Sequence, residues 1–332
     1  AKELFQTMYL KGLERRNFFF GRVIYINIPT PVVKDGYKYW AVDKRVYFRP
    51  NTKETFHEFI VWLLGETIGF QWFSEESKKE HVLRLWIEHF FDWQKEHAKE
   101  ENRVKGGYAF EPDGYSAALI SLAFDIFILK HTRNFNDDYL NRLRHTEQFQ
   151  GVRYEIVVAS IFARMGYRIH YLNDTKVEGR RCEFFIKDQI GNTICAVEAK
   201  SKHRSGVLNY PGVRSEEIKV YRKHMEDRYK DARKQNPGDV PFIIFMDINA
   251  PQETDKVGLG KEWIKEMMLM IGKKTYSKVN PDPVNAVIFT NYSYHYQEKN
   301  QAVSGESCYA ISMYPKHGIK NNPFFWNILK TS

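Results

Sequence analysis

Cysteine is scarce in this chain. Cys182, Cys195 and Cys308 are the only three, too few for a disulfide framework, and a reduced, cytoplasmic setting is the expectation. Long apolar runs are missing too. None approaches the ~20 residues a helix needs to span a bilayer, so no membrane partner is expected. The opening AKELFQTMYLKGLERR has no apolar stretch behind a basic start, and no secretory signal is read there. Several chemical signatures are also absent. VGLGKEW holds a Gly-x-Gly but no Gly-x-x-x-x-Gly-Lys-Ser/Thr phosphate loop, and there is no Gly-x-Ser-x-Gly and no His-Glu-x-x-His. These gaps argue against a P-loop ATPase, an elbow-type serine hydrolase and a helical zinc protease. No internal repeat or low-complexity segment occurs.

What is present is a globular composition. The 332 residues are 43% hydrophobic, 27% charged and 15% aromatic, enough for two domains or one large one. The net charge of +9 is unevenly placed. Residues 1–150 hold 22 Lys and Arg against 21 Asp and Glu, whereas residues 151–332 hold 28 against 20. A basic second part points to a polyanionic partner, nucleic acid first, with a merely solubilising surface as the alternative.

The pattern along the chain changes near residue 140. Before it, GRVIYINIP and YKYWAVDKRVYF read as strands with KDGYK as a turn. Helices follow at 54–68 with Thr52 as cap, from Ser74 through a long amphipathic stretch to about 100, and at 116–131. After 147 the order reads α-β-β-β-α-β-α-β-β. A helix ends at Gly166, strands follow at 167–172, 181–188 and 193–201, a basic helix covers 216–235, and VPFIIFMDIN is a continuous apolar run suited to a central buried strand. The expected class is α+β: a mainly helical region with a short β-hairpin over 1–140, suited to assembly or interaction, then a domain over 141–332 with a mixed sheet flanked by helices.

The informative residues are Glu155, Glu183 and Glu198-Ala199-Lys200. With Gly191-Asn192 as a two-residue turn, Ile190 faces Thr193 and Glu183 lies opposite Lys200. Strand alternation then puts Glu183, Glu198 and Lys200 on one face and Cys195, Val197 and Ala199 on the core face. Two adjacent carboxylates repel unless a cation neutralises them. Their oxygens suit a hard divalent ion, and a neighbouring lysine can orient water or stabilise a pentavalent phosphate. Glu155 falls within the apolar row of Val152, Val158, Ala159 and Phe162, where a carboxylate needs a partner, and a metal on the adjacent sheet would be one.

A helix glutamate, a strand glutamate and a Glu-x-Lys on the next strand resemble the PD-(D/E)xK nuclease superfamily, over about residues 147–250. The first acid of that pattern is usually an Asp after Pro; here it is Glu183 after Cys182. The resemblance implies a restriction-endonuclease-like fold. It further implies Mg²⁺ (or Mn²⁺) held by Glu183 and Glu198 with Glu155 assisting, and Lys200 as the residue that helps activate water. The substrate implied is nucleic acid, DNA ahead of RNA, cut to leave a 5′-phosphate. The family's roles in restriction, phage defence and mobile elements come with it. An alternative is a nuclease-like fold that binds nucleic acid or protein without cutting. Another is a plain cross-strand ion pair between Glu183 and Lys200.

The segment 201–235 holds ten Lys and Arg against five Asp and Glu. Lys202, Arg204 and Arg214 are the expected phosphate contacts. Ile218, Tyr221, Met225 and Tyr229 have the spacing of a helix core face. His81, His89 and His97 lie eight apart, unlike a helical zinc pair, and Cys182 with Cys195 lacks the companions a zinc site needs. Trp62, Trp72, Trp86 and Trp93 fit a helical core, or an interface with another protein or a second copy.

Overall fold

The structure is a computed structural model that describes residues 18–19, 22–23, 26–75, 80–104, 107–172, 182–201, 203–214, 218–272, 275–319 and 323–331. Two-residue ladders join β1 (Phe18–Phe19) to β2 (Arg22–Val23) and β6 (Arg103–Val104) to β7 (Gly107–Tyr108). A three-stranded antiparallel sheet forms from β3 (Val32–Lys34), β4 (Tyr37–Val42) and β5 (Arg45–Arg49). Helix α1 (Phe56–Ile68) then begins at a capping box. The Thr55 hydroxyl accepts from Glu58 N–H at 3.2 Å, and the Glu58 carboxylate accepts from Thr55 N–H at 2.6 Å. The cap is therefore Thr55 rather than Thr52, because only Thr55 has a glutamate three residues on.

The amphipathic stretch expected to run from Ser74 is divided. Helix α2 (Phe70–Ser74) ends at Ser74, and α3 (Val82–His97) starts afresh with the His81 ring accepting from Leu83 N–H. Helix α4 (Gly114–His131), capped by Asp113, is apolar all round. By length and composition it could cross a membrane, but 78% of it is buried among its neighbours α1, α3 and α6. Trp72, Trp86 and Trp93 are buried with it, and Trp62 packs against the same core.

The second part opens with α5 (Asp138–Leu143), which the periodicity does not announce, and α6 (Thr146–Arg164). Gly166 turns α6 off at φ +84°, letting Tyr167 N–H reach back to the Phe162 carbonyl. The remaining strands make one six-stranded sheet in the order β13-β12-β11-β10-β9-β8. They are β8 (Arg168–Tyr171), β9 (Phe184–Lys187), β10 (Thr193–Lys200), β11 (Phe242–Asp247), β12 (Ala286–Asn291) and β13 (Glu306–Ile311). Strands β10, β11 and β12 run parallel; β8, β9 and β13 are antiparallel to their neighbours. The expected mixed sheet is thus present, with the apolar β11 run at its centre and fully buried.

Helices α7 (Ile218–Lys234) and α8 (Glu262–Ile271) cover one face, with Met225 and Tyr229 on the core side of α7 as expected. The side chains of Ile218 and Tyr221 lie outside the described residues. Helix α6 and the C-terminal α9 (Pro323–Thr331) cover the other face. One contiguous apolar cluster runs from Trp40 and Phe59 through α4 and α6 to Phe184, Val197 and Phe245 of the sheet. The layers on both sides of residue 140 share this core.

Candidate active site

The β9–β10 connection decides where the acids meet. It is longer than a two-residue turn. The Asp188 carboxylate accepts from Ile190 N–H at 3.0 Å and Asn192 N–H at 2.8 Å, and Gly191 takes φ +95°. A register shift follows between Thr193 and Cys195, after which Cys195 pairs with Ile186 and Val197 with Phe184. The pairing therefore differs by two residues from the one expected. Ile190 does not face Thr193, and Glu183 comes beside Glu198 rather than Lys200. An even slip preserves the faces. Cys195, Val197 and Ala199 join the α6-side core as expected, while Ala196 joins the α7 and α8 side, the face of Glu198 and Lys200.

Glu183 sits one residue before β9, its N–H donating to the Val197 carbonyl at 3.0 Å. Glu198 is buried near the carboxyl end of β10, and one of its oxygens pairs with Lys200 Nζ. The other oxygen, Oε2, is buried without a hydrogen-bond partner. Burial first, then the charges of Glu155 and Glu198, push the Glu183 carboxyl well above the usual carboxylate range. Glu198 is pushed up as well, by burial, although Lys200 opposes the shift. Burial alone would depress Lys200. The carboxylates of Glu198 and Glu183 outweigh it and hold the ammonium charged. Lys200 is therefore a donor and a positive charge in this arrangement, not a base.

Glu155 projects from α6 into the same neighbourhood, close enough to raise Glu183. Both its oxygens are taken by Arg142 of α5, at 2.6 and 2.5 Å. Such a bidentate pair is strong and directional. Glu155 is thus a neutralised neighbour here rather than a third open ligand. Arg142 lies on a separate short helix, and no spacing in the sequence connects it to Glu155. Among the described residues no three His, Cys, Asp or Glu side chains converge as a ready cage for a metal ion. Two hard oxygen donors short of positive charge, one with an unpartnered oxygen, do fit an ion such as Mg²⁺, which binds through few carboxylates and keeps several waters.

Beyond Lys200 the strand ends in a buried polar web. Ser201 Oγ donates to Asp247 Oδ2 at 3.0 Å, and Gln150 Nε2 donates to both, at 2.8 and 2.9 Å. Arg153 lies 3.5 Å from the same carboxylate and donates to the Tyr292 carbonyl at 3.2 Å. Burial holds Asp247 above the usual carboxylate range against the charge of Arg153. This web joins α6 to the ends of β10, β11 and β12. Its members are ordinary polar residues scattered along the chain, and only the topology brings them together.

The three expected phosphate contacts separate. Arg204 does not face solvent: it is buried and donates to the carbonyls of Ile248 and Asn249. It clamps the strand ends, because a guanidinium fills several buried acceptors at once. Arg214 is half-buried with its guanidinium 4.5 Å from the Tyr296 ring centre and 3.9 Å from Glu298. Lys202 lies outside the described residues. The three helix histidines have unrelated jobs: His81 caps α3, His89 contacts Asp113 at 2.5 Å, and His97 contacts the Trp93 carbonyl.

Compared with known proteins, the chain matches no family model, no curated protein and no solved structure.

Proposed function

We propose that this chain is a metal-dependent nuclease that hydrolyses nucleic-acid phosphodiester bonds. One observation carries the reading: the half-buried Glu183 lies beside the buried Glu198, both with raised proton affinity and Glu198 with an unpartnered oxygen, next to the charged Lys200. A cost of this kind is expected where a cation or a reacting group supplies the missing charge. The run α6-β8-β9-β10-α7-β11, with β10 and β11 parallel, supports a restriction-endonuclease-like core. It also supports the resemblance to PD-(D/E)xK nucleases.

Glu183 and Glu198 would hold a Mg²⁺ or Mn²⁺ ion, which when bound supplies a Lewis acid for the phosphate and lowers the pKa of a water. Hydrolysis adds the oxygen of water to phosphorus and breaks the bond to the 3′ oxygen, leaving a 5′-phosphate and a 3′-hydroxyl. Lys200 donates to the attacking water or to a phosphoryl oxygen and offsets the negative charge that builds there. Its pairing with Glu198 fixes it beside the reacting centre. Glu155, paired with Arg142, stands beside Glu183 as a neutralised neighbour and not as a third ligand.

DNA is the first substrate to test, and restriction, phage defence or a mobile element is the first biological setting. Purified protein is incubated with supercoiled plasmid, linear DNA and single-stranded RNA, in Mg²⁺, Mn²⁺ or EDTA. Metal-dependent cutting that Glu198→Ala and Lys200→Ala abolish supports the reading and names the substrate. A second reading is a binding platform that does not cut. It is favoured by the internal pairing of Lys200 with Glu198 and of Arg142 with Glu155. It predicts nucleic-acid binding that Lys200→Ala leaves intact, with no cutting of any substrate.

A further inference from the structure

The chain leaving Lys200 does not run straight into α7. It folds into a tight loop over 205–213 that walls a cleft of about 290 Å³. The loop is built for close backbone approach. Gly206 N–H donates to the Tyr210 carbonyl at 2.9 Å, and a Cβ on Gly206 would sit 2.6 Å from Arg214 N. A Cβ on Gly212 would sit 2.7 Å from the Ser205 Cβ. Both glycines have positive φ, +70° and +116°. The opposite wall comes from α3, the start of α4 and the segment after β12, so the cleft opens beyond the carboxyl ends of the parallel strands. Ligand sites in such sheets collect there.

Four features of the lining are chemically specific. Tyr115, Tyr210 and Tyr296 place aromatic rings in the walls. Arg214 also lines the cleft, held over the Tyr296 ring. His295 is 6% exposed, and neither of its ring nitrogens has a hydrogen-bond partner. The indole N–H of the buried Trp86, whose ring stacks near His295 at 6.5 Å, is likewise without an acceptor. Buried polar atoms are nearly always satisfied, and an unpaired one costs about as much as a lost hydrogen bond. Here two such groups lie in the lining of one cleft. Burial and the charges of Arg153 and Arg214 keep His295 neutral, so its ring offers one donor and one acceptor.

We propose that this cleft binds a single nucleotide unit, with its base stacked on tyrosine and edge-bonded to His295 and Trp86, and its phosphate on Arg214. A base supplies both a π-face and an edge of donors and acceptors, which answers the tyrosines and the two unpaired groups together. A phosphate suits the planar fork of Arg214, which faces the cleft from above the Tyr296 ring. The volume lies at the small end of small-molecule sites and fits one nucleotide rather than a duplex. The unit is either a free nucleotide or one residue of a strand leaving the candidate active site. The strand form rests on the nuclease reading, and the free form does not.

The test is calorimetry on the full chain in EDTA, with inorganic phosphate, adenosine, each of the four deoxynucleoside monophosphates and a five-nucleotide single-stranded DNA as probes. At least one monophosphate or the oligonucleotide is expected to bind saturably, and more tightly than inorganic phosphate. Arg214→Ala and Tyr210→Ala each weaken that binding about tenfold or more, with the melting temperature recorded as a check on folding. His295→Gln, which keeps a donor and an acceptor, retains more binding than His295→Leu. A tighter oligonucleotide identifies a strand unit, and a tighter monophosphate identifies a free nucleotide. The proposal is overturned if folded protein binds none of these probes, if only inorganic phosphate binds, or if both wall variants bind like wild type. Cutting is scored separately with metal. Protein that cuts but binds no nucleotide in EDTA refutes the cleft alone, and protein that binds but never cuts refutes the nuclease reading alone.

Discussion

At the scale of single residues, charge placement separates a carboxylate short of positive charge from a fully partnered guanidinium. Glu183 holds its proton more tightly when folded than when unfolded, where a glutamate titrates near ~4.3. Its deprotonation therefore works against the fold. That part of the stability is complete below the unfolded value and is lost as pH climbs from there through the raised folded value. Metal-free protein should accordingly melt at a higher temperature at pH 5.5 than at pH 8. Glu183→Gln should raise the pH 8 melting temperature in EDTA by an amount equivalent to about 1–2 kcal/mol, and flatten the pH dependence. A variant that melts lower than wild type would remove the repulsion argument. Arg204 gives the opposite case. Its head group serves buried carbonyls, so Arg204→Ala should cost about 2–3 kcal/mol in urea unfolding. The fraction that remains folded should bind nucleic acid as before. Basic composition made Arg204 look like a phosphate contact. Burial, which a charge count does not report, gives it another job.

Elements were legible where one physical signal dominates. The unbroken apolar run of β11, the two-residue alternation through 195–199 and the glycine stop of α6 all appear where the sequence puts them. Signals failed where two candidates compete locally. The hairpin turn at Gly191-Asn192 reads as sufficient, but the Asp188 side chain captures the backbone N–H groups of Ile190 and Asn192 and lengthens the loop. Likewise Thr52 and Thr55 both precede α1, and only the reciprocal bond to Glu58 selects Thr55. The discriminating measurement is thermal unfolding of the two alanine variants. Thr55→Ala should cost about 1 kcal/mol and Thr52→Ala close to nothing. Equal losses would mean that the box is not what starts the helix. The candidate site was legible as a set of residue types on one face, Glu183, Glu198 and Lys200. Its neutralising partner Arg142 was not, because a contact between two separate helices leaves no periodic trace.

For the molecule as a whole, the apolar cluster crosses the point where composition suggests a boundary. Helix α4 is buried against α1, α3 and α6 at once, so the first side of residue 140 shares its core with the second, which adds a cluster of its own under α7 and α8. The intact chain should unfold in one cooperative transition, with calorimetric and van't Hoff enthalpies in agreement. Residues 1–140 expressed alone should lack near-ultraviolet dichroism and a sharp melt. Two resolved transitions, or a well-folded fragment, would establish independent units. One shared core also fixes α6 firmly against the sheet. That holds Glu155 and the Gln150–Ser201–Asp247 web behind the carboxyl end of β10.

We propose that Glu183, Glu198 and Lys200 form a metal-dependent phosphodiesterase site. Its most direct test is the single-turnover cleavage rate, measured across a Mn²⁺ titration, on the best substrate of the nucleic-acid panel. Wild type, Glu183→Gln, Glu198→Gln and Lys200→Ala are compared at matched folded fractions. The wild-type rate is expected to saturate with Mn²⁺ and vanish in EDTA, with losses of about 10²-fold or more in each variant. Cleavage that persists undiminished in the variants, or wild-type protein that binds substrate and Mn²⁺ together yet never cuts, would contradict the proposal.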